Sequence, residues 1–192
     1  NFAEKHKLQL NNMIGFMKKD KRFSKFGYWR PGLGFGGGHI ERALEFFKKN
    51  SSKEASQFVQ SLIHFNEKRL DWITHNIKQF KKIKNIGIWG MTYKKNTASY
   101  YRSYGYRFVS KNYKKYHFFV YDPGIDVNDT SFKKKNIYMN KLLFDNFNKF
   151  DCLLLLSDWD DFKIKKTDLK KFLTLKNKLI IDAYGILIEH KS

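Results

Sequence analysis

The 192-residue sequence has one cysteine, Cys152, two prolines, and no apolar run near the roughly 20 residues of a membrane-spanning helix. A single cysteine excludes an internal disulfide and a cysteine-rich metal site, and it is typical of a reducing compartment. The charged, amphipathic stretch that begins at Asn1 also lacks the uninterrupted apolar core of a signal peptide. We therefore expect a cytoplasmic protein without a membrane span. Because its first residues are typical of a helix interior, we also expect the natural chain to continue upstream.

Acidic residues are scarce, since 18 aspartates and glutamates stand against 38 lysines and arginines and leave a net charge of +20. Such an excess raises nucleic acid as a partner. The lysines, however, are scattered along the chain, and charge alone supports only non-specific binding. Lys, Asn, Phe, Tyr and Ile are abundant, as an AT-rich genome encodes, so codon bias is the favoured explanation. We therefore do not expect a nucleic-acid partner. We also expect no metal site, because the histidines show no pairing with the spacing of metal ligands.

The first half of the chain carries helical patterns. Apolar residues recur at helical spacing between His39 and Lys49. Ser51 and Glu54 then have the spacing of a capping box, and a second helical pattern continues as far as Gln79. A helix of about 28 residues would be about 40 Å long, more than a small domain covers. Helices of this length form a spine or a subunit interface, so we predict a homodimer through residues 52–79.

The second half of the chain carries continuous apolar runs, which are typical of strands buried on both faces of a parallel sheet. The runs are Asn85–Gly90, His117–Tyr121, Cys152–Leu156 and Leu179–Asp182. The helix-compatible stretches between them are Tyr101–Tyr113, Asn140–Phe147 and Thr167–Leu173. This alternation predicts an α/β fold, in which a helical N-terminal segment with a long spine helix precedes a doubly wound parallel sheet. We place the helical domain at 1–82, with a glycine-rich loop at 31–38, and the α/β domain at 83–192.

Three segments share their order and spacing with the motifs of a known enzyme family. Residues 30–39 read RPGLGFGGGH, residues 86–97 read IGIWGMTYKKNT, and the YDP at 121–123 is followed by DCLLLLSDWDDF at 151–162. These segments resemble PGxGFGGSC, IGxLGxxFKPNT, YDP and DALVLLTEWxEF of the UDP-glucose/GDP-mannose (nucleotide-sugar) dehydrogenase family. The chain resembles the C-terminal half of that family, which implies a central dimerisation helix and a Rossmann-like UDP-binding domain. The match begins after the family's N-terminal NAD domain.

The resemblance implies a nucleotide-sugar site whose ligand is a UDP-sugar. In the family, the glycine loop lies over the nucleotide sugar, and glycines allow backbone N–H groups to approach a ligand closely. A family lysine that meets the nucleotide sugar matches Lys94, and an ammonium suits a diphosphate. Arg22 resembles an arginine that reaches across the dimer to the neighbour's sugar. The implied binding residues are Gly34, Phe35, Gly36, Gly37, Tyr93, Lys94 and Arg22.

The same resemblance predicts that catalysis is lost. The family oxidises C6 of the sugar with NAD through a thioester on a cysteine, which needs a thiolate. His39 stands at the position of that cysteine, and Ala43 stands at the position of a catalytic aspartate. An imidazole forms no thioester, so we assign no catalytic residue and expect weak or absent dehydrogenase activity. NAD, the family's cofactor, is not expected to bind this chain alone.

Two further family arginines are replaced. Tyr101 stands where the family has a cofactor-facing arginine, unless Arg102 substitutes for it, and Tyr184 replaces the arginine of the family's DGR. The leading hypothesis is therefore a divergent dehydrogenase homologue that binds a UDP-sugar and dimerises. The alternative is a non-catalytic binding or interaction module with a changed ligand, and a third, less favoured, is a basic protein that binds nucleic acid or an anionic surface.

Overall fold

A computed structural model describes residues 5–8, 10–22, 32–80, 82–129, 134–165, 167–168 and 178–187. The chain forms two compact units, Asn1–Gly32 and Leu33–Ser192. The first unit contains helix α1, Leu10–Met17. The second unit contains every other element described below. No helix among the described residues is long and apolar enough to cross a membrane.

The second unit is built on a five-stranded sheet in which every pairing is parallel. The strands are β1 Asn85–Trp89, β2 His117–Tyr121, β3 Ile137–Met139, β4 Cys152–Leu155 and β5 Leu179–Asp182. Their order across the sheet is β3-β2-β1-β4-β5. The chain thus builds outward from β1 in one direction and then returns to its other side with β4. This confirms the predicted α/β class and creates a topological switch point between β1 and β4, where ligands of such sheets bind.

Three α-helices of this unit lie wholly within the described residues: α2 His39–Asn50, α3 Lys53–Gln79 and α4 Tyr104–Asn112. The predicted cap of the long helix is off by one residue. Ser52, not Ser51, is the N-cap of α3, and its hydroxyl accepts from the Ala55 N–H at 3.4 Å. Ser51 instead donates its hydroxyl hydrogen to the carbonyl of Phe47 in α2, so it is already engaged.

The two halves of α3 have different surroundings. Leu70, Ile73 and Ile77, in the C-terminal half, are buried in a core that they share with the sheet. Phe58 and Phe65, in the N-terminal half, are 65% and 62% exposed. The C-terminal half therefore packs on the sheet within the second compact unit. The boundary expected between a helical domain at 1–82 and an α/β domain at 83–192 remains a prediction.

Both faces of the sheet are buried, because successive side chains of a strand point to opposite sides. Ile86, Ile88 and Cys152 face the core that contains α3 and α4. Trp89 and Leu153 face a second core, which the segments flanking β4 complete. Cys152 is fully buried, and burial raises the pKa of its thiol, as expected of a core residue. The continuous apolar runs are therefore strands that are buried on both faces of the sheet, as their pattern predicts.

One predicted helix does not form, and one strand was not predicted. Residues 141–146 form bends and turns, not a helix, and a short 3₁₀ helix follows at Phe147–Lys149. The Asp145 carboxylate accepts from the N–H groups of Lys141 and Leu142 at 3.1 and 2.9 Å, and such local bonds compete with helix formation. Strand β3 has only three residues and was not predicted. Most of the helix predicted at Thr167–Leu173 lies outside the described residues.

Candidate functional site

The glycine loop, residues 33–38, is anchored on α3 by side chains one helical turn apart. The Asn66 amide accepts from the Phe35 N–H at 3.0 Å and donates to the Phe35 carbonyl at 2.9 Å. The Arg69 guanidinium donates to the carbonyl of Leu33 at 3.1 Å. Residues three apart share a helix face, so one face of α3 holds the beginning of the loop.

Glycine is required at two loop positions for different reasons. At Gly34, an added Cβ would overlap the Asn66 side-chain oxygen. At Gly37, the backbone has φ +77°, and an added Cβ would lie 3.0 Å from the Tyr93 ring. At Gly34 the backbone lies too close to α3 for a side chain. At Gly37 the Tyr93 ring lies close to where a side chain would be, and the backbone is left-handed, which glycine adopts readily. The loop is therefore held in one shape by its contacts.

A second loop, residues 91–95, follows β1 and is organised by the carboxylate at the end of β2. Asp122 accepts from the N–H groups of Met91 and Thr92, each at 2.7 Å, and from the Thr92 hydroxyl at 2.8 Å. Its other oxygen accepts from the Gly124 N–H at 2.8 Å. Burial raises the pKa of the Asp122 carboxyl, and the hydrogen bonds from Thr92, Gly124 and Met91 oppose that shift. This carboxylate therefore fixes the backbone that leads into Lys94.

The segment after β4 supports the same loop from the other side. The indole N–H of Trp159 donates to the Thr92 hydroxyl at 2.9 Å. The Asp158 carboxylate accepts from the Lys95 N–H at 3.2 Å, and Asp160 pairs with the Lys95 ammonium at 2.9 Å. The ends of β2 and β4 thus both hold the loop that leaves β1, at the switch point of the sheet.

The acidic residues after β4 serve as partners of lysines and of backbone. Asp160 and Asp161 lie in a short 3₁₀ helix, Asp160–Phe162. Hydrogen bonds from Lys163 and then Lys95 lower the pKa of Asp160 to about 2. No group of three or more potential metal ligands occurs among the described residues.

Tyr93 brings the two loops into contact. Its ring lies against Gly37, and its Cβ would be 3.3 Å from a side chain at Gly36. The next residue, Lys94, is exposed, with its ammonium 5.5 Å from the centre of the Tyr93 ring. The structure therefore brings Gly36, Gly37, Tyr93 and Lys94 together, with Gly34 and Phe35 as the anchored start of the loop.

Arg22, the remaining predicted binding residue, belongs to the first compact unit. Its guanidinium pairs with Asp20, with one nitrogen 2.6 Å from the carboxylate, and the Arg22 side chain is 87% exposed. Its reach to a neighbour's sugar remains a prediction.

The two residues that the resemblance aligns with the family's catalytic residues lie in the first turns of α2. His39 begins the helix, and both His39 and Ala43 are exposed. Between them, the half-buried Glu41 forms ion pairs with Arg102 and, at 3.5 Å, with Arg107. Arg102 is therefore already paired with a carboxylate of the chain itself. That Arg102 replaces the family's cofactor-facing arginine remains a prediction.

A cleft of about 330 Å³ lies beside this ion-pair network rather than at Lys94. Its lining residues are Glu41, Glu45, Ile63, Glu67, Tyr101, Arg102, Tyr106 and Arg107. None of the predicted nucleotide-sugar residues is among them, so the predicted pocket location and this cleft are different places. Sequence reasoning missed Glu41, because its partners lie more than sixty residues away.

The fold and the two loops together define a Rossmann-like α/β domain with a candidate ligand site at the switch point of its sheet. The profile described as the UDP-glucose/GDP-mannose dehydrogenase family, UDP binding domain, matches residues 87–189, more than half of the chain. The chain belongs to this family, which confirms the resemblance carried by its motifs. Comparison with curated protein sequences found no match.

Solved structures of dehydrogenases share the fold. A UDP-glucose dehydrogenase from Pyrobaculum islandicum is 14% identical, with a TM-score of 0.73 over 94% of this chain and 41% of that one. A UDP-D-ManNAc dehydrogenase from Pyrococcus horikoshii is 16% identical, with a TM-score of 0.73 over 97% and 43%. A GDP-mannose dehydrogenase from Pseudomonas aeruginosa is 19% identical, with a TM-score of 0.65 over 96% and 44%. The chain thus spans 41–44% of the length of these three structures.

Proposed function

We propose that this chain binds the diphosphate part of a UDP-sugar between the glycine loop and Lys94. The observation that carries the proposal is the contact of Tyr93 with Gly36 and Gly37. This contact brings the glycine backbone to the residue that precedes Lys94, whose side chain is exposed at the switch point. Backbone N–H groups of such loops and a lysine are suited to phosphate oxygens. The membership of the UDP-binding family supports this choice of ligand.

Replacing Lys94 tests this proposal. Lys94→Ala should weaken UDP binding by about 1.5–3 kcal/mol, roughly 10- to 160-fold, because one charge-assisted hydrogen bond is lost. Isothermal titration calorimetry of both proteins measures the difference. Lys111→Ala is the matched control, since it removes an exposed lysine from the last turn of α4 and should leave the affinity unchanged. Equal UDP affinity for Lys94→Ala and the unmutated protein would remove Lys94 from the site.

A second candidate function is a binding module that has changed its ligand. Two observations favour it. Glu41 pairs with Arg102 and Arg107, and Tyr184 stands in place of a family arginine. The titration separates the two candidates, because a changed-ligand module would show no detectable UDP binding in the unmutated protein.

The chain is further proposed to form a homodimer through the N-terminal half of α3. Phe58, Leu62 and Phe65 are spaced by four and three residues, so they share one helix face, and all three are exposed. Helix α2 packs along α3 and adds Phe46, which is 71% exposed. Clustered apolar surface of this kind marks an interaction site. A second copy is the proposed occupant, because the exposed residues of the face lie on one helix, which can pair with its own copy about a two-fold axis.

Charged substitutions test the dimer. The double variant Phe58→Asp with Phe65→Asp should weaken self-association roughly a hundredfold or more, because each of the two aromatic side chains that the proposed interface covers contributes about 1.5–3 kcal/mol. Light scattering across micromolar concentrations measures the mass. The control is Leu142→Asp, which places the same charge at a residue that is 68% exposed in a turn remote from α3 in sequence. An unmutated protein that stays monomeric throughout would contradict the proposal.

Dehydrogenase activity is not part of the proposed function. His39 and Ala43 replace the nucleophile and the carboxylate that the family's chemistry uses, and NAD is not expected to bind this chain alone.

A further inference from the structure

Asn66 is a buried amide whose bonds are directed at the glycine loop. It lies on α3 and is 3% exposed. Its side-chain oxygen accepts from the Phe35 N–H, and its side-chain nitrogen donates to the Phe35 carbonyl. This pairing satisfies both main-chain groups of one loop residue, as a neighbouring strand would do. The amide thus makes with Phe35 the two bonds that a neighbouring strand would make.

Tyr104 holds that amide in place. Its hydroxyl contacts the Asn66 side-chain oxygen at 2.5 Å and the Asn66 main-chain carbonyl at 2.9 Å. Burial raises the pKa of Tyr104 to about 12, so the hydroxyl keeps its hydrogen and remains a donor at neutral pH. Gly34 passes directly over the pair, where an added Cβ would overlap both Asn66 and Tyr104. The first helix turn of α4 therefore supports the amide that α3 presents.

The position of Phe35 determines where the next residues lie. Gly36 and Gly37 follow it directly and run against Tyr93, the neighbour of Lys94. Fixing the backbone of one residue costs roughly 1–2 kcal/mol of conformational entropy, so an unanchored loop would have to be ordered when a ligand binds. A loop that is already ordered binds more tightly, because that entropy is lost during folding instead.

We propose that Asn66, supported by Tyr104, is a positioning residue that pre-orders the glycine loop for the nucleotide sugar. Asn66 does not contact the ligand and acts through the backbone of Phe35. The inference rests on the proposed function for its ligand, but the ordering of the loop can be measured without any ligand.

The first measurement is amide hydrogen exchange of the ligand-free protein. Asn66→Ala should reduce the protection of the Phe35 N–H by roughly ten- to a hundredfold, because its acceptor is removed. Tyr104→Phe should reduce it less, since the Asn66 amide is kept. The matched control is Asn76→Ala, which removes an amide from the same helix whose only described bond is to the carbonyl of Trp72 in that helix. Unchanged protection in a folded Asn66→Ala protein would overturn the proposal.

The second measurement is the affinity of the same variants for UDP. Asn66→Ala should weaken binding by roughly tenfold, and Tyr104→Phe by less, while Asn76→Ala leaves the affinity unchanged. Lost protection together with unchanged affinity would overturn the positioning role. If Asn66→Ala does not fold, the milder Tyr104→Phe must show both effects for the proposal to stand. If the unmutated protein binds no UDP, the proposed function fails, and the exchange measurement alone decides whether Asn66 orders the loop.

Discussion

The purified chain, supplied with NAD and UDP-glucose, UDP-N-acetyl sugars or GDP-mannose, is expected to produce no NADH above background. Conversion of an alcohol to an acid in one site needs a hydride acceptor, a covalent anchor for the aldehyde and a group that manages protons and water. The resemblance places His39 and Ala43 at the positions of the last two, and both residues are exposed on α2. General acid–base groups alone contribute roughly 10²–10⁴-fold, and an imidazole at position 39 cannot form the thioester.

A single reversion should not restore this activity. His39→Cys supplies a thiol, but Ala43 still offers no carboxylate, and NAD is not expected to bind this chain alone. The absorbance of NADH over time, measured with the unmutated protein and with His39→Cys, checks both statements. Steady NADH production by the unmutated chain that His39→Ala abolishes would show instead that His39 is catalytic.

Asp122→Asn should lower the free energy of unfolding by about 2–4 kcal/mol, because four donors lose their common charged acceptor. Met91, Thr92 and Gly124 all donate to this carboxylate, which is 4% exposed. An asparagine offers one acceptor oxygen, and its NH₂ group would face an N–H that also donates. Urea denaturation of both proteins measures the change.

Asp126→Asn provides a matched control for that measurement. Asp126 lies four residues further on and accepts from the Asn128 N–H at 2.9 Å, in the same two-residue spacing as Asp122 and Gly124. It is exposed, however, so its replacement should change the stability by no more than about 0.5 kcal/mol. Equal effects of the two substitutions would mean that Asp122 does not organise the loop before Lys94.

The sequence predicted the elements whose signals are local. The four long strands follow from continuous apolar runs, and α3 follows from a helical repeat with a cap beside the predicted one. Strand β3 was not predicted, because three residues are too few for a period to be recognised. Residues 140–147 have a helical pattern, but the carboxylate of Asp145 binds the backbone that a helix would use.

The candidate site was predictable in its motifs and not in its contacts. The glycine loop and Lys94 were assigned from resemblance, and the structure brings Gly36 and Gly37 to the residue before Lys94. The bonds of Asn66 to Phe35 join residues 31 apart, and that of Glu41 to Arg102 joins residues 61 apart. Neither pairing has a periodic signal, because each joins segments that are distant in the sequence and meet only in the folded chain. Asn66 joins α3 to the glycine loop, and Glu41 joins α2 to the turn before α4.

A crystal structure of the chain with UDP tests the central claim most directly. The proposed function predicts diphosphate oxygens within hydrogen-bonding distance of the Lys94 ammonium and of N–H groups of the glycine loop, at Gly36 or Gly37. UDP bound instead in the cleft beside Glu41 and Arg102, or no bound UDP at saturating concentration, would contradict it.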